Sequence, residues 1–321
     1  MSTTPRHSRP PVRQGCGVTR ADVLRFASGA GLSCLLSQVV YAQTTDAKMQ
    51  TRPIPVSGEG LPVVGCGTWQ TFDVGTAPGV RAPLAEVLRT LFDQRGSVID
   101  SSPMYGASEG VVGELLADTR TRPKAFLATK VWTQGREAGI AQIRRSMELL
   151  RTDKLDLLQV HNLLDWRTHL KTLRNLKEQG RVRYLGVTHY TSSAYAELEA
   201  VMRSEKLDFV QVNYSADDRA ADARILPLAA ERGIAVLINM PFGGGGLLRG
   251  LRAKPLPSWA AELGCSSWPQ LLLKFVLGHP AVTCVIPGTS NPAHMRDNAV
   301  AGSGTIPGEA TRRRIVAALK D

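Results

Sequence analysis

The chain has 321 residues, of which 43% are hydrophobic and 21% are charged, a balance typical of a globular protein and not of a disordered one. Its net charge of +11 would suit an anionic partner, but outside the run at 312–314 the basic residues are scattered and do not alternate with aromatic ones, so we predict no nucleic-acid partner. None of its five cysteines has metal-ligand spacing, which argues against a metal site.

Residues 1–42 have the features of a bacterial export leader. A polar, arginine-containing segment precedes an apolar run at 26–41 that is short for a membrane span, and Val40, Tyr41 and Ala42 have the spacing of a signal-peptidase site. The segment at 19–25 resembles a twin-arginine export signal, although Ala21 stands where the second arginine belongs. We therefore predict cleavage after Ala42, a linker at 43–52, a periplasmic mature protein and no stable membrane span after cleavage. A leader that does not function would leave the protein in the cytoplasm.

From residue 53 onward, short apolar runs typical of buried strands alternate with helical patterns. The predicted strands occupy 62–68, 97–100, 125–132, 155–161, 182–188, 209–213, 235–239 and 283–286. A glycine- and proline-rich insertion at 241–259 follows the seventh strand. Eight strand–helix units predict the α/β class and a (β/α)8 TIM barrel that forms a single domain at 53–321. The alternative is a doubly wound open sheet, and the absence of GxGxxG after the first strand argues against it.

Four ionisable side chains follow or end three of the predicted strands. Asp100 ends the second strand and Tyr105 lies in the loop after it, while Lys130 and His161 end the third and fourth apolar runs. Barrel enzymes carry their reactive groups at the carboxyl ends of the strands. We therefore expect these four residues to meet at one mouth of the barrel.

The segments that carry these residues resemble the aldo-keto reductases. The resemblance rests on VIDSSPMYG, ATKVW and LLQVHN, and it continues through LGVTHY, FVQVNYS and IPGTSNPAHMRDN, over roughly residues 53–301. It implies that Asp100, Tyr105, Lys130 and His161 are the catalytic tetrad. It also implies an NAD(P)H-dependent enzyme that reduces an aldehyde or ketone, with a small-molecule carbonyl compound as substrate.

Each member of this tetrad has a chemical task in hydride transfer. Reduction of a carbonyl needs an acid to protonate its oxygen, and Tyr105 is the candidate. Lys130 would stabilise the phenolate and so lower the pKa of Tyr105, before desolvation subtracts from this effect. Asp100 would hold Lys130 charged and in place, and a neutral His161 would donate a hydrogen bond that orients the carbonyl oxygen.

The resemblance also predicts the cofactor and substrate sites. Thr188, His189 and Gln211 would hold the nicotinamide, although the family usually has a small amide at the position of His189. The predicted pyrophosphate, phosphate and adenine contacts are Met240, Gly243, Gly288, Thr289, Ser290, His294, Arg296, Asp297 and Asn298. Trp69, Trp132 and Phe242 would line the substrate pocket. Relatives selective for the 2′-phosphate usually have lysine and arginine at the positions of Gly288 and His294, so we expect NADPH to be used with appreciable NADH activity.

Two other functions fit parts of the pattern. Lys130 could form a Schiff base in a barrel lyase. The barrel could also bind the cofactor as a redox sensor with slow turnover. The physiological substrate and the oligomeric state do not follow from the sequence.

Overall fold

The computed structural model of the protein describes residues 48–320. The leader predicted at 1–42 and its cleavage site lie outside the described residues. No helix within 48–320 is both long and apolar enough to cross a membrane.

A short antiparallel hairpin opens the described chain. Its strands β1 (Thr51–Pro53) and β2 (Gly60–Pro62) pair with Thr51 opposite Pro62. The hairpin begins inside the stretch predicted as a linker at 43–52. It also contains Pro62, which was predicted to begin the first barrel strand. Strands of three residues are too short to show a strand period in the sequence, which is why the hairpin was not predicted.

Eight parallel strands follow and form the barrel. In chain order, β3 to β10 are Cys66–Gly67, Val98–Asp100, Phe126–Val131, Leu155–Val160, Val182–His189, Phe209–Asn213, Ala235–Asn239 and Cys284–Val285. Each strand pairs with its sequence neighbours in the order of the chain. Bridges from Val64 to Val285 and from Gly67 to Gly288 join the first and last strands and close the sheet. The predicted (β/α)8 TIM barrel is therefore confirmed, and the open sheet is wrong.

Helices surround the barrel and follow the strands. Helices α1 to α10 are Pro78–Asp93, Ser108–Asp118, Arg136–Leu149, Trp166–Glu178, Tyr195–Ser204, Ile225–Arg232, Gly246–Gly250, Trp268–Leu277, Pro292–Val300 and Glu309–Ala318. The glycine- and proline-rich insertion after β9 contains the one-turn helix α7 and a 3₁₀ segment at Ser258–Leu263.

The barrel interior is apolar at its amino-terminal end. The buried cluster there contains one or more side chains from seven of the strands together with two from the hairpin region, so the hairpin covers the floor of the barrel. Its members are Ile54, Leu61, Val98, Phe126, Ala128, Leu157, Tyr184, Phe209, Ala235, Leu237, Cys284 and Ile286. Cys66 and Cys284 are fully buried, as predicted for small core residues.

Strand alternation carries polar groups to the other end of the barrel. On β5, Phe126 and Ala128 face the barrel interior. Because side chains alternate along a strand, Lys130 faces the same side, two residues closer to the carboxyl end of the strand. On β6, Leu157 is followed in the same way by Gln159 and then by His161 just after the strand. The interior thus changes from apolar to polar along the barrel axis, and the polar layer lies at the carboxyl ends of the strands.

Candidate active site

A cavity of about 750 Å³ opens at the carboxyl ends of the strands. Loops after β3, β4, β5, β6, β7, β9 and β10 contribute to its wall. Of the residues predicted from the sequence, those that line it are Trp69, Asp100, Tyr105, Trp132, His161, Thr188, Met240, Phe242, Gly288, Thr289, His294, Asp297 and Asn298. Those that do not line it are Lys130, His189, Gln211, Gly243, Ser290 and Arg296. The structure therefore brings most of the predicted residues to one cavity and leaves the others away from its wall.

A buried ion pair lies beneath the cavity. Lys130 Nζ donates to Asp100 Oδ2 at 2.6 Å and to the carbonyl oxygen of Ser101 at 2.8 Å. Gln159 Nε2 lies 3.4 Å from Asp100 Oδ1, a support that the sequence interpretation missed. Burial alone would lower the pKa of Lys130, but Asp100 and Tyr105 outweigh it and raise that pKa. Lys130 is therefore held in its charged form.

Tyr105 lies directly above this pair. Lys130 Nζ is 5.0 Å from the centroid of its ring, so the ammonium group faces the phenol. Burial raises the pKa of Tyr105, the charge of Lys130 opposes the rise without cancelling it, and Asp100 adds to it. Lys130 acts to lower this pKa, as predicted, but desolvation is the larger effect and the net shift is upward. Tyr105 consequently keeps its proton at neutral pH.

His161 lies next to Tyr105 at the cavity. Its ring centroid lies 5.9 Å from that of Tyr105, with the two planes nearly perpendicular, and 6.4 Å from that of Trp132. Burial, followed by the charges of Lys130 and His189, lowers the pKa of His161 to about 2. Its imidazole is therefore neutral, as the chemistry requires. Its Nδ1 lies 3.0 Å from the hydroxyl oxygen of Ser102.

Within residues 48–320, four buried side-chain amide atoms on or just after the barrel strands have no hydrogen-bond partner. One is Gln159 Oε1, beside Asp100, and the other three are Asn162 Oδ1, Gln211 Nε2 and Asn239 Oδ1. Asn162 and Asn239 line the cavity, and Gln211 pairs in register with the cavity residue Thr188. Buried polar atoms without partners are rare in native proteins. A carboxamide group has an NH₂ donor for the unpartnered oxygens and an oxygen acceptor for the unpartnered nitrogen. The residues present therefore fit a nicotinamide. The asparagines were missed, and their positions at strand ends were the available signal.

His189 does not join this group. Thr188 faces the cavity, so alternation turns the next residue of β7 outward. His189 Nδ1 instead accepts from the backbone N–H of Thr191 at 3.2 Å, and its ring stacks on Tyr190. The predicted contact between His189 and the nicotinamide thus has no support in this geometry.

Two features suit the phosphate groups of a dinucleotide. The amino terminus of α9 borders the cavity, with Asn291 Oδ1 accepting from Ala293 N at 2.9 Å and Pro292 in the first turn. Free backbone N–H groups at a helix amino terminus attract anions. Across the cavity, Gly244 and Gly245 of the insertion line the wall, whereas Gly243 packs against Asp217 behind them.

Asp297 and Arg296, both predicted to contact the cofactor, have different environments on α9. Both carboxylate oxygens of Asp297 already accept hydrogen bonds, from Ser267 Oγ at 2.7 Å and from Gln270 Nε2 at 2.6 Å. They join α9 to the start of α8, although Asp297 still borders the cavity. Arg296 is exposed on another side of α9, where its charge acts on Glu86 of α1.

The outer part of the cavity is aromatic and open. Trp69, Trp132 and Tyr190 line it, and each is 41–52% exposed. Phe242 and Met104 complete this part of the wall, and Met104 and Tyr190 were not predicted. Exposed apolar side chains that gather around a cleft are typical of a ligand site, so this end suits the organic part of a substrate.

Comparisons with known proteins agree with the geometry. A sequence model of the aldo/keto reductase family matches residues 63–313. Methylglyoxal reductase YeaE of Escherichia coli is 31% identical over 259 residues, which cover 78% of this chain and 89% of that protein. The crystal structure of an aldo/keto reductase from Klebsiella pneumoniae, in complex with NADP and acetate, superposes with a TM-score of 0.70 at 26% identity and covers 84% of this chain and 95% of its own. The chain therefore belongs to the aldo/keto reductase family.

Proposed function

We propose that this cavity reduces the carbonyl group of an aldehyde or ketone to an alcohol with NADPH, and with NADH to a lesser extent. The observation that carries the proposal is the convergence of Tyr105 and His161 on one cavity above the buried pair of Lys130 and Asp100. One relative is named a methylglyoxal reductase and one structural neighbour holds NADP, which supports the same chemistry for this chain.

The cofactor supplies a hydride, and the chain supplies the rest. Thr188, Asn162 and Asn239 surround the position that suits the nicotinamide carboxamide. The amino terminus of α9 and the glycine loop suit the phosphates. These elements would hold the two ends of a dinucleotide and would leave the aromatic end of the cavity for the substrate.

The protein's own residues handle the proton. Tyr105 keeps its hydroxyl hydrogen at neutral pH and can donate it to the oxygen as the alcohol forms. Lys130 lies against the phenol ring and stabilises the phenolate that remains after this transfer. Asp100 keeps Lys130 charged, and His161 orients the carbonyl oxygen by a hydrogen bond.

The environment of Lys130 argues against the lyase alternative. A Schiff-base lysine must be a free amine, yet Lys130 is fully buried, paired with Asp100 and has a raised pKa. The alternative of a redox sensor differs from an enzyme only in its slow turnover.

Steady-state assays with NADPH and a panel of aldehydes, including methylglyoxal and an aromatic aldehyde, test the proposed function directly. Turnover absent from the whole panel, with NADPH still bound, would contradict it.

We also propose that the chain is exported and functions in the periplasm after loss of residues 1–42. The support is the apolar run at 26–41 followed by Val40, Tyr41 and Ala42, all in the sequence. A folded, cofactor-dependent barrel suits an export route that carries folded proteins.

A further inference from the structure

Ser102 contacts the imidazole of His161 but does not itself line the cavity. It is fully buried, and its Oγ lies 3.0 Å from His161 Nδ1. His161 itself lines the cavity. Because Nδ1 is turned to the serine, the other ring nitrogen, Nε2, is the one left for a ligand.

The hydrogen bonds of Ser102 determine which atom donates. Its Oγ also lies 3.4 Å from the backbone N–H of Met104, which can only donate to it. The hydroxyl hydrogen therefore needs an acceptor, and within residues 48–320 the only acceptor in reach is His161 Nδ1. If Nδ1 carried the hydrogen instead, the serine hydrogen would be buried without a partner, which is unfavourable.

We propose that Ser102 is a positioning residue that holds His161 in the tautomer with its hydrogen on Nε2. The ring then presents a donor to the cavity. The alternative tautomer would present a lone pair, and two acceptors repel each other where a carbonyl oxygen must bind.

The choice of tautomer determines whether His161 can donate to the cavity, because the neutral imidazole has one N–H. Burial and the nearby charge of Lys130 lower the pKa of His161 to about 2, so the ring has one hydrogen and cannot donate from both nitrogens. The hydrogen bond made by the second nitrogen sets the tautomer of an imidazole. The role of Ser102 towards a carbonyl oxygen rests on the proposed function, whereas the tautomer itself does not.

The first test reads the tautomer directly. In the full chain labelled with ¹⁵N-histidine, protonated and unprotonated ring nitrogens give separate resonances, and the His161→Gln variant identifies the signals of His161. His169 is an internal reference, because its Nε2 lies 2.7 Å from the carbonyl oxygen of Thr133 and must donate to it. We expect Nε2 of His161 to give a protonated resonance like that of His169 Nε2 near neutral pH, and Nδ1 of His161 to give an unprotonated one. An Nδ1–H pattern in the wild type would overturn the proposal.

The second test changes the serine. Ser102→Ala should shift the His161 signals towards the other tautomer and lower kcat about 10-fold, which corresponds to one net hydrogen bond, while the dissociation constant of NADPH stays unchanged. Ser102→Thr keeps the hydroxyl and should restore most of kcat. Ser146→Ala removes a buried hydroxyl that bonds to Glu109, and serves as the matched control for packing.

These outcomes separate the tautomer from the reaction. Unchanged His161 signals and kcat in Ser102→Ala would overturn the proposal. If Ser102→Thr does not fold, the wild-type spectrum still decides the tautomer. An Nε2–H tautomer in a protein that reduces none of the aldehydes would support the role of Ser102 and contradict the proposed function.

Discussion

Lys130 Nζ lies 2.6 Å from Asp100 Oδ2, and the two side chains are 0% and 4% exposed. The pair sits between the apolar barrel floor and Tyr105, so its charge acts in a medium that screens poorly. Removing one member of a buried pair leaves the other charge without compensation. We therefore expect Asp100→Asn to lower the free energy of unfolding by about 3–5 kcal/mol, as measured by urea denaturation.

An exposed ion pair provides the control for this measurement. Arg145 and Glu148 pair at 3.1 Å on the surface of α3, with both side chains more than half exposed. Glu148→Gln makes the same chemical change and should cost less than about 1 kcal/mol. An equal effect of the two substitutions would show that the buried pair has no special role.

Tyr105→Phe tests the proton donor. The substitution removes the hydroxyl but keeps the ring against Lys130, so NADPH binding should be unchanged while kcat for an aldehyde falls by about 10²–10⁴-fold. Fluorescence titration and steady-state kinetics measure the two quantities. Tyr184→Phe removes a hydroxyl that donates to Glu59 at the barrel floor and should leave kcat near the wild-type value. A Tyr105→Phe enzyme with near-normal kcat would refute the assignment.

The pH dependence of reduction follows from the two aromatic groups. Tyr105 must be protonated to donate, and its pKa is raised above its ordinary value of 10.0, so reduction should weaken only as the pH rises above that value. His161, with a pKa of about 2, stays neutral throughout. We expect kcat to be flat between about pH 6 and pH 9. A break near pH 6.5 that disappears in His161→Gln would contradict this picture.

The strand pattern predicted the centre of the site because alternation is a local rule. Once Asp100, Lys130 and His161 are placed at the ends of apolar runs, the period of two turns them into the barrel together. The same rule turns His189 away from the cavity, since its neighbour Thr188 faces inward. Similarly, Arg296 lies two residues after His294 on a helix, a rotation of about 200°, so both cannot face the cavity.

Other features depend on contacts distant in the sequence. The bond between Ser102 and His161 joins two loops that are 59 positions apart, and neither loop has a regular period. Gln70, Asn162 and Met240 have left-handed backbones, with φ between 48° and 58°, and all three line the cavity. Such strained conformations are imposed by the surrounding structure and gather at functional sites, so no propensity scale would have predicted them.

Export remains a prediction of the sequence. When the whole chain is produced in a bacterium with a twin-arginine export system, the periplasmic protein should begin at Gln43, as determined by mass spectrometry of the intact chain. Ala21→Arg should increase the exported fraction because it restores the second arginine. An intact first residue on protein that stays in the cytoplasmic fraction would contradict the prediction.

Cofactor preference provides the last prediction. His294 is exposed at the cavity in the first turn of α9, where relatives selective for the 2′-phosphate usually have arginine, and an imidazole lacks the forked donors of a guanidinium. His294→Arg should therefore raise the ratio of kcat/KM for NADPH over NADH by about 10- to 150-fold, the effect of one hydrogen bond to a charged group. Arg296→Gln, on another side of the same helix, is the control and should leave the ratio unchanged.

Gly288→Lys adds a charge at a less tolerant position. A Cβ at Gly288 would lie 3.2 Å from the carbonyl oxygen of Gly67, at the bridge that closes the barrel. We expect this variant to gain NADPH preference and to lose thermal stability, whereas His294→Arg gains preference alone. In the wild type, the helix amino terminus and nearby hydroxyl groups remain to bind the 2′-phosphate. The ratio of kcat/KM should therefore favour NADPH by less than about 10³-fold, about 4 kcal/mol. A larger margin, or a clear preference for NADH, would show that other residues bind the phosphate end.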